Sequence, residues 1–238
     1  MIDSYMKNVC SEWHDIDYLS SINSCKCDSI TCVRVMTSQQ SKYSYDIPSK
    51  ESLKLLLWVQ SCDLFDIDLS VKIYDGGRFN CCMVVDSCAK MNVSFHIDLL
   101  GKSSASDIKS FCYCHDTNSA SWNISNIHHN NDTISSVVVK NIIDDTARVT
   151  FNGDITLLEQ SSGSDAKQRC DNILLSDFAK ATTCPNLTIL NNDISCSHGA
   201  TVGTFDKSSM VYMTSRGIPE KTCQSLLMEG MLADIVME

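Results

Sequence analysis

The chain has 238 residues, of which 43% are hydrophobic and 20% charged, with a formal net charge of −10 at pH 7. This length and apolar fraction allow one buried core and exclude a wholly disordered chain. The acidic balance excludes nucleic acid as the main partner, because there is no surplus of basic side chains to release counterions from a phosphate backbone. No apolar run approaches the roughly 18 residues that a membrane-spanning helix needs, so no membrane partner is expected.

The first fifty residues carry the weakest structural signals. Residues 2–19 are compatible with a weak helix, and Ile30–Met36 with a strand. The first twenty residues are acidic and lack the basic flank and apolar stretch of an export signal, so a cytoplasmic location is predicted. We treat residues 1–50 as an N-terminal segment separate from the core.

Residues 51–205 are predicted to form an all-β core. Apolar and polar residues alternate from Phe65 to Tyr74 and again from Asn92 to Leu99, and a period of two is typical of half-buried strands. Further short apolar segments follow, separated by loops rich in Ser, Asn and Asp. Many short strands at near-even spacing are typical of a sandwich, a barrel or a β-solenoid, and the pattern does not choose among these.

Residues 206–238 are predicted to be helical. Asp206 is a good N-cap for a short helix that Gly217 ends, and Pro219 suits the first turn of a second helix. The second helix is predicted to have one apolar face, with Gly230 weakening its interior. The residues of that face are Cys223, Leu226, Leu227, Met231, Ala233 and Ile235.

Fourteen cysteines are unusual for a chain of this length. Without an export signal we expect reduced thiols, most of them small core residues. Cys112 and Cys114 share one face of a predicted strand while His115 points to the other, so the three are not expected to converge on one metal ion. Two other groups lack the spacing of a zinc site, namely Cys25 and Cys27 with Cys32, and Cys81 with Cys82.

His198 is a candidate metal ligand, although a lone histidine is more often structural. Gly199 beside it allows another surface to approach closely. Cys196 lies on the same face if the segment is extended, so a thiol and an imidazole would be available together. The alternatives are a histidine that only forms hydrogen bonds in a turn and a cysteine that only fills the core. His128 and His129, in a polar loop, are expected to be exposed.

Four features lie close together in the last fifty-five residues. They are Pro185-x-Leu187 before a turn with Asp193, the phrase CSHGATVG at 196–203, the phrase Tyr212-x-x-Ser215-Arg216-Gly217-Ile218, and the terminal amphipathic helix. Together they resemble the C-terminal end of the SufB/SufD family, the scaffold proteins of the SUF iron–sulfur cluster assembly system. The Ser-His-Gly-Ala form at 197–200 is similar to the SufD branch, and weaker matches extend back to about Ile127.

The resemblance implies a right-handed parallel β-helix with a small C-terminal helical segment. It also implies two partners, a SufB-like paralogue and a SufC-like ATPase that docks on the C-terminal helices. His198 would lie at the junction with the paralogue, where an iron–sulfur cluster is held transiently and no cofactor stays bound, with Cys196 as a second ligand. Gly199 and Gly203 match the motif backbone, and the expected docking residues are Tyr212, Arg216, Gly217, Leu226, Leu227 and Met231.

The chain also departs from the family pattern. It is shorter, so the N-terminal helical region is expected to be missing or reduced, and Asn191-Asn192-Asp193 stands where an acidic pair is usual. No phosphate-binding loop, nucleophile elbow or zinc-protease motif is present in the sequence. We therefore predict a non-enzymatic scaffold subunit, with the ATP chemistry in its partner. Two other interpretations stay open: a carbohydrate-active β-helix enzyme, and a degenerate family member that keeps only the fold.

Overall fold

Twelve strands make up most of the structure, a computed structural model that describes residues 2–10, 12–21 and 30–236. The elements in chain order are α1 (Ile2–Val9), β1 (His14–Asp15), a 3-10 helix (Ile16–Ser21), β2 (Thr31–Val35), β3 (Gln39–Ile47), β4 (Ser52–Ile73), β5 (Arg78–Leu99), β6 (Ala105–Cys114), β7 (Ser119–His128), β8 (Ile134–Ile143), β9 (Arg148–Leu157), β10 (Ser164–Leu174), β11 (Lys180–Ile189), β12 (Ile194–Gly203), α2 (Lys207–Ser215) and α3 (Glu220–Val236).

The described strands pair in parallel and wind into a solenoid of about six turns. One face has the order β1-β2-β4-β5-β6-β8-β10-β12, and the other face stacks β3 on β4, β5, β7, β9 and β11. The 22-residue strands β4 and β5 run through both faces. Hydrogen-bonded side chains in neighbouring turns are 26 residues apart near the N-terminus and 32 apart near the C-terminus. The predicted parallel β-helix with a small C-terminal helical segment is therefore confirmed.

The core lies between the two faces and follows the predicted alternation. Phe65, Ile67 and Leu69 are at most 1% exposed, and in-register pairing stacks them on Met91, Val93 and Phe95 of the next turn. Each fully buried side chain of this size contributes roughly 1.5–3 kcal/mol. A solenoid buries such columns continuously, because every turn covers the apolar residues of the turn before it.

One corner of the solenoid repeats the same backbone conformation in successive turns. Residues with positive φ occur there in five turns, and the N–H of each donates to a carbonyl one turn later, at 2.7 to 3.0 Å. These residues are Lys50, Gly76, Ser103, Asp132 and Gly163. Gly101 lies at this corner under a tight constraint, since a Cβ there would lie 2.0 Å from the backbone N of Asp75.

Gly101→Ala is therefore expected to destabilise the fold strongly, by about 3 kcal/mol or more, because backbone of the adjacent turn cannot move aside locally. Gly230→Ala is the matched control. A Cβ at Gly230 meets nothing within 4 Å, and alanine in a helix interior stabilises by roughly 1 kcal/mol relative to glycine. Urea unfolding followed by circular dichroism measures both changes, and an unaltered midpoint for Gly101→Ala would contradict this account of the corner.

Two helices cover the outer face of the longer sheet. Ile2 and Met6 of α1 belong to the same buried cluster as Trp58 and Phe111 of the sheet. The buried residues of α3 are Cys223, Met228, Leu232 and Ile235. The predicted apolar face is confirmed at Cys223 and Ile235, whereas Leu226 is 47% exposed. The prediction missed Met228 and Leu232, because apolar residues surround most of this helix.

The N-terminal segment contributes to the solenoid. The predicted strand at Ile30–Met36 is confirmed as β2, and β3 pairs with β4, so strands begin before residue 51. A disulfide between Cys10 and Cys32 joins the end of α1 to β2, so the expectation of reduced thiols is wrong for this pair. Folding of α1 over the sheet brings these cysteines together, which their spacing does not reveal. None of the described helices is long and apolar enough to cross a membrane.

Candidate functional site

The last turn of the solenoid is open. β12 pairs only with β10 and β11 only with β9 among the described strands, so each has a free edge. Side chains that face the interior here lack a covering turn, and Ile189 and Val202 are 46% and 51% exposed. We call this surface the open end. By alternation with the turn before, its residues are Ala181, Thr183, Pro185, Leu187, Ile189, Ile194, Cys196, His198, Ala200 and Val202.

Cys196 and His198 both face the open end. Their register partners on β10 are Ala166 and Gln168, which are buried in the interior of the preceding turn. Cys196 packs against the small cluster around Ala166, whereas His198 is exposed. Because both lie on one extended strand, their Cα atoms are roughly 7 Å apart on the same face. The strand thus presents a thiol and an imidazole side by side at the end of the molecule.

The electrostatic surroundings hold the Cys196 thiol in its neutral form. Partial burial raises the pKa of Cys196, and the nearby carboxylate of Asp165 raises it further. Binding a metal requires the thiolate, so the metal must displace this proton.

The glycines of the motif are not required by packing within the chain. A Cβ at Gly199 or Gly203 would meet nothing within 4 Å of the described atoms. Both residues lie on the exposed strand β12, beside the free edge. Contacts within the described part of the chain therefore do not explain why these positions are glycine.

The other cysteine candidates are parts of the core. Cys112 and Cys114 are 1% and 3% exposed, and burial raises the pKa of Cys114 to about 11. His115 instead lies at a turn, with its Nδ1 2.8 Å from a carboxylate oxygen of Asp116. Burial likewise raises the pKa of Cys81 and of Cys82. Cys25 and Cys27 lie outside the described residues. The structure thus keeps the Cys112, Cys114 and His115 side chains from converging, as predicted.

His128 is buried, contrary to the expected exposure. Its ring nitrogens lie 2.7 Å from the Thr133 hydroxyl and 2.8 Å from the Ser135 hydroxyl. Desolvation lowers the pKa of His128 to about 4, so the ring is neutral near pH 7. His129 remains partly exposed and contacts Asp98 at 2.8 Å. The sequence around His128 is polar and predicted a loop, whereas β7 extends to His128 and directs its side chain into the core.

Gln168 is a site residue that sequence reasoning missed. Its side chain is 2% exposed, and its Nε2 donates to the carbonyl of Gly153 at 3.2 Å. Its Oε1 has no hydrogen-bond partner in the part of the chain that the structure describes. A Cβ at Gly153 would lie 2.4 Å from this amide, so the glycine makes the space that Gln168 occupies. In the sequence, Gln168 alternates with the small residues Ala166 and Cys170. This pattern identifies Gln168 as a buried polar residue only when the inward-facing positions of β10 are known.

The predicted docking residues divide into exposed and packed positions. Tyr212 is 62% exposed, with the Arg216 guanidinium 5.4 Å from its ring centre, and α2 has no buried residue. Asp206 caps α2 as predicted, accepting from two backbone N–H groups, and Gly217 follows the helix at a φ of 83°. Leu226 is exposed, whereas Leu227 and Met231 are partly buried.

A family model and several curated proteins match this chain. The family model described as "SUF system FeS cluster assembly, SufBD core domain" matches residues 68–231. The iron–sulfur cluster assembly protein SufD of Escherichia coli K12 is 34% identical over 96 residues, which cover 40% of this chain and 23% of that protein. SufD of Bacillus subtilis 168 is 30% identical over 112 residues, covering 47% of this chain and 26% of that protein.

A SufBD family protein of Mycobacterium tuberculosis H37Rv is 33% identical over 91 residues, covering 38% of this chain and 23% of that protein. In these three matches the chain spans about a quarter of the length of the relative.

Proposed function

Because this chain belongs to the SufB/SufD family of iron–sulfur cluster assembly proteins and is SufD-like, we propose that it is the scaffold subunit of a SufBCD-type complex. The observation that supports this most is the open end, where Cys196 and His198 face outward from an unpaired turn. The test is reconstitution: a cluster, followed by its visible absorption, should form on the complex with SufB-like and SufC-like proteins. A cluster yield that does not change when this chain is omitted would contradict the proposal.

The proposed SufB-like paralogue pairs with the open end. Free strand edges expose unpaired backbone N–H and C=O groups, and a strand of another chain satisfies them by continuing the sheet. The partly exposed apolar side chains of the open end, such as Ile189 and Val202, would be buried at the same time. Pairing there places partner ligands opposite Cys196 and His198.

The cluster is cargo that the complex builds and passes on. Imidazole and thiolate are suitable donors for its iron, and the partner would supply the remaining ligands. The chain supplies two fixed donors on one strand and a neighbouring apolar surface that excludes water after pairing. It needs no catalytic group of its own, and the ATP hydrolysis would take place in the SufC-like partner.

Cluster yield is expected to increase with pH. The raised pKa of Cys196 means that one proton must leave when iron binds, so the affinity rises by about tenfold per pH unit below the thiol pKa. Asp165→Asn removes the charge that helps to raise this pKa and should shift the yield curve to lower pH. Asp154→Asn, which changes an exposed carboxylate on β9, is the control. Identical pH profiles of wild type and Asp165→Asn would contradict this role of Asp165.

The proposed ATPase docking surface is the exposed side of α2 and α3. Leu226→Asp should weaken binding of the SufC-like protein with little effect on stability, because exposed positions tolerate substitution within roughly 0.5 kcal/mol. Leu232→Asp is the contrasting variant, because this side chain is fully buried against the sheet. A charge there should lower the free energy of unfolding by several kcal/mol and detach α3 from the sheet. Calorimetric titration with the ATPase measures the first effect, and unchanged affinity for Leu226→Asp would exclude this side of α3.

No described feature favours the carbohydrate-active alternative. Asp68 lies on the outer face of β4, 2.7 Å from the Lys42 ammonium and 3.7 Å from the His96 ring. Asp66 accepts a hydrogen bond from the Gln40 amide at 3.2 Å. These carboxylates are engaged in surface contacts between neighbouring turns, and the family match supports a scaffold. A cytoplasmic location is part of the proposal, since ten of the described cysteines are free thiols, against one disulfide between Cys10 and Cys32.

A further inference from the structure

An unpartnered buried oxygen lies on the strand next to that of His198. The side chain of Gln168 is 98% shielded from solvent, and its Oε1 forms no hydrogen bond with any described residue. Leaving such an acceptor unpaired costs about 1–3 kcal/mol. Gln168 and His198 are register partners on β10 and β12, and adjacent strands are about 4.8 Å apart. An imidazole on β12 is therefore within reach of this oxygen.

Among the described residues, the other strand and register neighbours of Gln168 offer no strong donor. Its register partner in the preceding turn is Val137, and Ala166 lies beside it on the inner face of β10. Gly153 faces it from the other sheet and accepts its Nε2. The second neighbour on β10 is Cys170, whose sulfur accepts hydrogen bonds from the side-chain amides of Asn141 and Asn172 at 3.7 and 3.4 Å. A thiol is also only a weak donor.

We propose that Gln168 is a positioning residue for His198: its Oε1 accepts one ring N–H of the imidazole, which turns the other ring nitrogen out of the open end toward iron. This inference rests on the proposed function, in which His198 is a ligand. A ligating histidine nearly always donates its second N–H to a carbonyl or carboxylate, and this bond fixes the tautomer and the ring orientation. In the described part of the chain, Gln168 is the buried side chain placed to accept it.

Gly153 helps to position the Gln168 side chain. The Gln168 amide lies where a Cβ of residue 153 would be, at 2.4 Å, and it is anchored there through Nε2. The anchor engages Nε2, so Oε1 is the atom of this amide that is left without a partner among the described residues. Gly153→Ala would push the amide away from this position without removing it.

The test uses the chain labelled with ¹⁵N-histidine, at a concentration where it is monomeric. Two-dimensional ¹H–¹⁵N spectra report the tautomer of each ring, and loss of one signal in a His198→Gln variant identifies His198. We expect one dominant tautomer in the wild type. Gln168→Met, of similar volume, should return His198 to a mixture of tautomers, as should Gly153→Ala, and Gln168→Glu should retain one dominant form. Ser110→Ala, which removes another buried unpartnered oxygen two turns away, should leave His198 unchanged.

A second measurement separates this inference from the proposed function. In the reconstituted complex, Gln168→Met should lower cluster retention by about 10–100-fold, the usual effect of losing a ligand's hydrogen-bond partner. A tautomer ratio that is the same in wild type and Gln168→Met, with the fold intact by circular dichroism, overturns the inference. Retention that depends on His198 but not on Gln168 also overturns it, and leaves the proposed function standing. Retention that depends on neither, with the tautomer shift present, overturns the ligand role and keeps the hydrogen bond.

Discussion

His198→Ala is expected to abolish most cluster formation on the assembled complex while leaving the fold and the assembly intact. The side chain is exposed on the last strand and contributes little packing, so its loss should cost at most the roughly 1–3 kcal/mol of leaving the Gln168 oxygen without its proposed donor. A methyl group has no lone pair to offer iron, so the cluster loses one ligand outright. Visible absorption and iron content of the purified complex measure this loss, which should exceed about tenfold.

Two cysteines provide graded controls for that experiment. Cys196→Ser should reduce cluster yield less than His198→Ala, because a hydroxyl is a poor substitute for a thiolate but still a donor. Cys184 is exposed on the neighbouring strand β11, yet alternation turns it to the outer face, so Cys184→Ser should have no effect. Full cluster yield in the His198→Ala complex would contradict the ligand role of His198, and only the family membership and the fold would remain established. Loss of assembly in that variant would instead assign His198 a structural role.

The sequence predicted those features that depend on local periodicity. Alternation from Phe65 onward marked the strands, and Asp206 and Gly217 marked the two ends of α2. The choice of a solenoid among the possible β architectures needed the motif around His198, since periodicity does not specify which strands pair. The location of Cys196 and His198 on one face followed from the same period of two, once β12 proved to be a single strand.

Other features depend on contacts between segments distant in sequence. Gln168 is identified as a candidate site residue only by its register with His198 and its contact with Gly153. The helix α3 is apolar on most sides, so only its packing against the sheet shows that Met228 is buried and Leu226 exposed. The burial of His128 likewise depends on hydroxyls that a turn brings to it.

The open end leads to the second large effect, which concerns assembly. Expressed alone, the chain should self-associate with increasing concentration, because two free strand edges and half-exposed apolar residues are available for pairing. A SufB-like partner should suppress this by occupying the same surface. Sedimentation velocity, with and without the partner, measures both reactions. A chain that stays monomeric at all concentrations and does not bind the SufB-like partner would contradict the proposed pairing.

Val202→Lys tests whether the open end itself is the pairing surface. Val202 is 51% exposed at the end of β12, and a lysine there must lose its hydration when the interface closes. We expect self-association and partner binding to weaken together, by about tenfold or more, since a desolvated charge costs at least 1.4 kcal/mol on the scale of such interfaces. Val211→Lys places the same charge on α2, where the side chain is 66% exposed and lies outside the open end, and it should leave both reactions unchanged. If Val211→Lys instead blocks pairing and Val202→Lys does not, the paralogue binds the helical surface, and the ligands Cys196 and His198 would remain exposed to solvent in the complex.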